Sequence, residues 1–309
     1  MSLNIEQLSY EAALAKAESK AVEFGLTDAS DGGQLSEIKT ENTLFAEPIF
    51  KINNFSVTNS LINTWLVVFI VVIFSWFLKT RIKLVPRGIQ NAAEAVVEML
   101  LGVFDSVTGS RKKTLKYFPF VFSFLVFILL NNWLGLLPGV GSIGQVVSEH
   151  GENFFIPFSR SGMADLNTTL ALAAIGVVCS HIFSISVLGF WKYINKFINF
   201  KALIEIPKKI IKEPTILIVN PIKVFVGFIE IIGEAAKVAS LSFRLFGNIF
   251  AGEVLLAAMA AILAFGLPIP FMFLEVIVGL IQAFIFSILI LAYITMNTAE
   301  EEHQNIPIV

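Results

Sequence analysis

Apolar residues in this chain run in long blocks rather than alternating with polar ones or recurring only every third or fourth position. Residues 65–78 read WLVVFIVVIFSWFL, residues 117–148 and 166–191 carry no charge, and from 254 to 299 the single charged residue is Glu275. Each block, alone or with its polar flanks, supplies the roughly 20 residues a helix needs to cross a bilayer. The pattern predicts a first span over 63–78 and a second over 117–137, closing with NNWLGLLPGVG, whose proline and glycines suit a turn at the interface. Asp165 opens a third span, DLNTTLALAAIGVVCSHIFSISVLGFW, by accepting amide hydrogens at its start. A fourth helical stretch covers 221–265, and the turn Gly266-Leu267-Pro268-Ile269-Pro270 leads into a fifth span ending near Thr298.

The chain is therefore expected to be an all-α, polytopic helical membrane protein. Its expected organisation is a polar N-terminal arm over 1–60, a transmembrane helical domain over 61–299 and a short tail over 300–309. The fourth stretch is too long to stand upright: 45 residues of helix extend about 68 Å against a hydrocarbon core of about 30 Å. It must be broken, strongly tilted or partly at the surface. Between spans one and two, residues 91–107 gather Ala93, Val96, Val97, Leu100, Leu101 and Phe104 on one helical face and Glu94, Glu98 and Asp105 on another. This helix either lies along the membrane surface or is a solvated extramembrane segment. The arm holds seven glutamates and a short amphipathic stretch over 8–23, and it lacks the basic-then-apolar order of a secretory signal and the Arg-rich character of a transit peptide.

Composition sharpens the same picture. Hydrophobic residues make up 56% and charged residues 15%, with a mean hydropathy of +0.78, whereas about a quarter of an average soluble protein is charged. The single cysteine, Cys179, excludes an intramolecular disulfide and a dithiol metal site. The net charge of -2 matters less than where the cations fall. Lys79, Arg81, Lys83 and Arg87 follow span one, Arg111, Lys112, Lys113 and Lys116 precede span two, and Lys192, Lys196, Lys201, Lys208, Lys209 and Lys212 follow span three. Five crossings place all three clusters on one side, so the positive-inside rule puts the N terminus outside and the C terminus in the cytoplasm.

Against this apolar background the polar residues of the last two spans stand out. Arg244 sits in SFRLFGNIFAGE, residues 242–253. Arginine does not neutralise itself by losing a proton, and in a bilayer it costs from roughly 3 to more than 10 kcal/mol, so it is expected to face a bundle interior or a watery path. Arg244, Asn248 and Gly252 succeed one another at i, i+4 and i+8, flanked by Gly247 and Ala251, a small-residue face that lets another helix approach closely. Glu253 lies about half a turn away around the helix, facing a second polar path. Glu275 and Gln282 align on span five with Gly279 between them, and the hairpin brings them toward Glu253 in one polar seam. Lys223, Glu230, Glu234 and Lys237, in the entry half of the fourth stretch, are expected on a surface or water-exposed face. His181, in an apolar helix, either bonds a neighbouring helix's carbonyl or lines a polar path.

SFRLFGNIFAGE followed by GLIQAFIFSILILAYI (279–294), with NNWLGLLPG and ADLNTTLALA upstream, resembles subunit a of the membrane sector of rotary F-type ATP synthases, over roughly residues 60–299. The resemblance implies that Arg244 is the essential stator arginine and Asn248 its polar neighbour. It implies that Glu253 and Glu275 occupy positions of an ion-access half-channel, the latter a histidine in some relatives, and that Gln282 packs near the arginine. Asp165 and Asn167 match the start of a family helix, as caps or path-lining residues. The implied partners are the c-subunit ring, the b-subunit stator stalk and the rest of the F-type ATP synthase, with protons as cargo and membrane lipid around the chain. No nucleic acid, cofactor or metal is implied, and the location is a prokaryotic inner membrane. No nucleotide-binding loop occurs in the sequence, so the chain itself is expected to be no enzyme. An independent secondary transporter with buried charge remains an alternative class, but it predicts inverted repeats, and the polar cluster here is single and near the C terminus. A purely structural membrane subunit is the other.

Overall fold

The computed structural model describes residues 38–39, 43–198 apart from 54, 84, 138, 150 and 151, and 216–304 apart from 264 and 265. Seven α-helices occur among them: α1 (Asn59–Arg81), α2 (Ile89–Thr108), α3 (Arg111–Gly135), α4 (Leu166–Leu188), α5 (Phe190–Ile198), α6 (Ile216–Ile262) and α7 (Pro268–Gln304). Five of these, α1, α3, α4, α6 and α7, are long and apolar enough to cross a membrane. The expected helix at 8–23 and the lysines at 201, 208, 209 and 212 lie outside the described residues.

Local chemistry sets the helix ends. Thr58 caps α1 by accepting from the Leu61 amide at 3.4 Å. Gly109 stops α2 in the left-handed region, φ 68°, where its N–H reaches the Asp105 carbonyl at 2.9 Å. Gly266, at φ 95°, turns α6 back into α7, whose first residue is proline, a position where the missing N–H costs nothing. The fourth stretch is unbroken: α6 runs for 47 residues, about 70 Å, and starts five residues earlier than its expected boundary. A rod of that length in a bilayer is tilted or projects from it.

The core lies where α3, α4, α6 and α7 meet. Val121, Phe124 and Ile128 pack with Ala173 and Val177, with Leu241, Leu245 and Ile249, and with Phe286, Ile290 and Ile294. Gly176 has no room for a side chain because Ile290 of α7 occupies that space. α1 is peripheral, and its Trp65, Phe69, Val72, Phe74 and Trp76 point outward, as expected where the solvent is lipid. α2 buries Leu100, Leu101 and Phe104, but Val96, expected on the same apolar face, is half exposed. Arg111 links its polar face by ion pairs to Glu98 at 3.0 Å and Asp105 at 2.9 Å.

Short strands cover one end of the bundle, where the sequence pattern predicts only arm and loop. β1 (Ile38–Lys39), β2 (Pro48–Ile52), β3 (Phe55–Thr58), β4 (Gly144–Glu149) and β5 (Glu152–Pro157) form a three-stranded sheet in the order β1-β5-β4 and a separate β2-β3 hairpin. β4 and β5 pair antiparallel from Gly144 opposite Pro157 to Glu149 opposite Glu152. This cap sits at the N-terminal ends of α1 and α4 and is tied down by polar contacts. The Ala46 amide donates to Asp165 Oδ1 at 3.4 Å, and Gln145 Nε2 donates to the Ile49 carbonyl at 3.2 Å.

Candidate functional site

Along the middle of α6, Leu241, Ser242, Leu245, Phe246 and Ile249 are buried in the core, while Ser240, Phe243, Arg244, Asn248 and Ala251 are exposed. Of the two places expected for a membrane guanidinium, a bundle interior or a watery path, Arg244 does not occupy the first. It stands on the outer surface, where Nη2 donates to Ser240 Oγ at 3.4 Å and no carboxylate among the described residues lies within ion-pair distance. Beside it, Asn248 Nδ2 donates to Oε1 of the buried Gln282 at 2.8 Å, an amide pair that joins α6 to α7 one turn from the guanidinium. A Cβ on Gly247 would meet open space. Gly252 leaves this face: the 3.6-residue period carries it round to the interior, where it lies against the Glu275 carboxyl group.

Toward the C-terminal end of α6 and under the strand cap lies one polar cluster. Glu253 receives Arg160 by three hydrogen bonds, Nε to Oε1 and to Oε2 at 2.9 Å each and Nη2 to Oε2 at 2.6 Å. Arg160 comes from the segment before α4 and is buried; its Nη1 reaches Thr43 Oγ1 at 3.5 Å and its guanidinium lies 6.0 Å from the Phe250 ring centre. Next to the pair is a cavity of about 80 Å³ lined by Asn132, Gly135, Ser161, Glu253, Leu256 and Glu275, among others. A water needs roughly 10–15 Å³ of such space together with two or more polar partners, so the cavity has room for several. Glu275 is 5% exposed, and its Oε1 has no hydrogen-bond partner among the described residues. The same holds for Oδ1 of the buried Asn132, whose Nδ2 donates to the Gly279 carbonyl at 3.2 Å.

A second cluster lies on the other side of Arg244 along α6. Glu234 departs from its expected water-facing position: its side chain is 13% exposed, accepts from Lys237 Nζ at 2.7 Å and faces His181 Nε2 at 3.5 Å. His181 Nδ1 and the Tyr193 hydroxyl are hydrogen-bonded, which joins α4 to α5. Lys237 Nζ lies 5.0 Å from the Tyr293 ring centre. Alongside is an open pocket of about 340 Å³ lined by Glu230, Gly233, Glu234, Lys237, Met296 and Asn297, among others. Glu234 precedes Arg244 by ten residues and Glu253 follows it by nine, about 15 and 13.5 Å along the helix axis.

Asp165 caps α4: Oδ1 accepts from the Asn167 amide at 3.2 Å and Oδ2 from Thr168 Oγ1 at 2.8 Å. Asn167 itself is exposed. The structure thus brings Glu253 and Glu275 to one cavity and Asn248 and Gln282 into one hydrogen bond, and places His181 with Glu234. Arg160, Asn132 and Glu234 were missed as members of these clusters. The signal for Arg160 was an arginine directly before a helix-capping segment at a span boundary, where a cation is easily taken for an interface residue.

These features define a polytopic helical membrane protein with two polar clusters on a single long helix and an arginine between them on its outer face. The ATP synthase A chain family matches residues 61–295. The chain is 33% identical over 240 residues to ATP synthase subunit a of Geobacter sulfurreducens, covering 78% of this chain and 87% of the relative. It is 34% identical over 231 residues to that of Syntrophobacter fumaroxidans, with 74% and 80% covered, and 32% identical over 240 residues to that of Campylobacter jejuni, with 77% and 88% covered. The chain belongs to the ATP synthase subunit a family, whose members are non-catalytic, proton-conducting subunits of the Fo membrane sector.

Proposed function

We infer that this chain is the stator part of a proton-driven rotary motor, holding two offset half-channels against a ring of c subunits. The observation that carries the reading is the exposed Arg244 midway between two polar clusters that lie on either side of it along α6. A permanently charged guanidinium left against lipid costs from roughly 3 to more than 10 kcal/mol, so its face calls for an anionic membrane partner. A ring of helices, each bearing a membrane-embedded carboxyl group, supplies one. The small Gly247 beside Arg244 supports close approach of such a helix.

In this reading the Glu253–Glu275 cavity delivers protons from the outer side to a ring carboxylate. The ring turns through the lipid with that site neutral, and the Glu234 region takes the proton off toward the cytoplasm. Arg244 attracts the carboxylate as it passes and, by its fixed charge, blocks a direct leak between the two half-channels. Asn248 and Gln282 hold the two helices together beside it. Each proton crossing 100 mV releases about 2.3 kcal/mol, so a leak at this point would dissipate the energy that turns the ring. The orientation follows the cations: Lys79, Arg111, Lys112, Lys113, Lys116 and Lys192 all occur at the Glu234 end, which we assign to the cytoplasm of a prokaryotic cell. The b-subunit stalk and the remaining subunits complete the assembly, and this chain carries no ATP chemistry.

The test is ATP-driven proton pumping in membrane vesicles carrying wild-type chain or Arg244→Ala, with assembly of the complex checked in parallel. Loss of pumping with assembly intact is expected. Retained pumping in the assembled variant would return Arg244 to a structural role and reopen the transporter alternative.

A further inference from the structure

The two glutamates of the outer cavity have different surroundings. Both oxygens of Glu253 are engaged by Arg160, a side chain with five donors, no acceptor and no means of giving up its charge at ordinary pH. Arg160 is buried, with Thr43 and Phe250 as its other neighbours. If Glu253 became neutral it would leave that buried guanidinium without a counter-charge, the costly way to break such a pair. Glu275 has no cation beside it among the described residues; its Oε1 is buried, unpartnered and at the wall of a cavity with room for water, opposite the equally unpartnered Asn132 Oδ1.

We propose that Arg160 and Glu253 act as one neutral, fixed ion pair that walls the outer cavity, and that the transferable proton on this side is carried by Glu275 with water, not by Glu253. The proposal rests on the half-channel reading given above. A proton arriving through cavity water binds a carboxylate oxygen of Glu275 and leaves from it toward the ring, returning Glu275 to the carboxylate and the water chain to its starting order. Asn132 Oδ1 accepts a hydrogen from that water and so orients it. Arg160 is a positioning residue in this scheme: it keeps Glu253 still and cancels its charge, so that neither traps the passing proton. Gly252 belongs to the same arrangement, since any side chain there would push the Glu275 carboxyl group out of the cavity wall.

The pair and the carrier separate in a charge-balanced experiment on the assembled complex in vesicles. Passive proton flux through the membrane sector is measured for Glu253→Gln, Arg160→Gln, the double variant and Glu275→Gln, with assembly scored for each. Glu253→Gln leaves the buried Arg160 without a counter-charge and Arg160→Gln leaves the partly exposed Glu253 unpaired beside the path, and each is expected to lower flux by about ten-fold. The double variant restores overall neutrality and is expected to return to within about three-fold of wild type, while Glu275→Gln stays blocked. A double variant no better than Glu253→Gln, or a Glu275→Gln complex that conducts normally, overturns the proposal.

A second measurement does not touch Arg160 and serves if its variants fail to assemble. Glu275→His exchanges one titrating carrier for another and is expected to move the pH midpoint of flux or abolish flux, whereas Glu253→His leaves the midpoint in place. A midpoint that moves with Glu253→His alone overturns the proposal. Arg244→Ala run alongside keeps the two ideas apart: retained pumping there refutes the stator reading, whereas failure of the charge-balanced rescue refutes only the division of roles between the glutamates.

Discussion

Gly252→Ala separates folding from conduction. A single methyl placed on Gly252 meets the carboxyl carbon and both oxygens of Glu275, and nothing else stands nearer. Two terms set the stability change. In a helix interior alanine is favoured over glycine by about 0.8–1.0 kcal/mol. Against that, the obstructing group is the free end of a flexible side chain, and pushing it to a poorer rotamer costs about 0.5–1.5 kcal/mol. The two nearly cancel, so net stability stays within about 1 kcal/mol of wild type. Conduction does not share that cancellation. The Glu275 carboxyl group leaves its place beside Asn132 and the 80 Å³ cavity, and a displacement of an ångström in a transfer geometry lowers rates on the order of a hundred-fold. The assay is passive and ATP-driven proton flux in vesicles, normalised to assembled complex, beside thermal denaturation of the purified complex. Gly102→Ala is the control, because its Cβ meets open space on α2 and only the helix-propensity gain applies. Normal flux in assembled Gly252→Ala would refute the reasoning, as would a complex that no longer forms.

Two further changes test other parts of the molecule. Gly247→Leu adds bulk to the open face beside Arg244, where a Cβ meets nothing among the described residues. The chain is expected to fold and insert normally while ATP-driven pumping falls at least about ten-fold, because a face adapted to close helix approach is now blocked; unchanged pumping would mean that the ring does not contact this face. Asp165→Ala removes the cap of α4 and the acceptor for Thr168, and is expected to destabilise the complex by about 1 kcal/mol in thermal denaturation, with Asp165→Asn restoring most of it. An Asp165→Asn complex of normal stability but reduced flux would show that Asp165 lines the path as well as capping the helix.

The five spans were legible because each apolar block, alone or with its polar flanks, reaches the length a bilayer crossing needs, and the hairpin was legible from Gly266 and the two prolines that follow it. The shared face of Arg244 and Asn248 was legible too, because neighbours four apart on one helix are fixed by helix geometry alone. Which way that face points was not. Periodicity says which residues lie together, and only the packing of α4 and α7 against the Leu241–Leu245 side leaves Arg244 outermost. The Arg160–Glu253 pair was hidden for the same kind of reason: its members are 93 residues apart, one on an irregular segment with no period to read. Glu234 looked solvated because charges cluster around it in sequence, yet His181 and Lys237 fold over it. The strand cap was obscured because its pieces are only two to six residues long and split between the arm and the α3–α4 connection.

The unbroken course of α6 has a consequence for how this protein tolerates change. Glu234, Arg244 and Glu253 are all borne by one rod without a hinge, so their spacing and angular phase are set by residue count alone. Inserting or deleting one residue between any two of them turns everything beyond it by about 100° and shifts it by about 1.5 Å. A carboxylate that faced the Arg160 pocket would then point elsewhere, and the Arg244 face would no longer lie between the two openings. A substitution along this stretch changes one side chain and leaves the placement of the others intact, whereas a change of length moves them all: the helix is in effect a ruler, and the sequence between residues 234 and 253 is under a constraint on number that is separate from any constraint on identity.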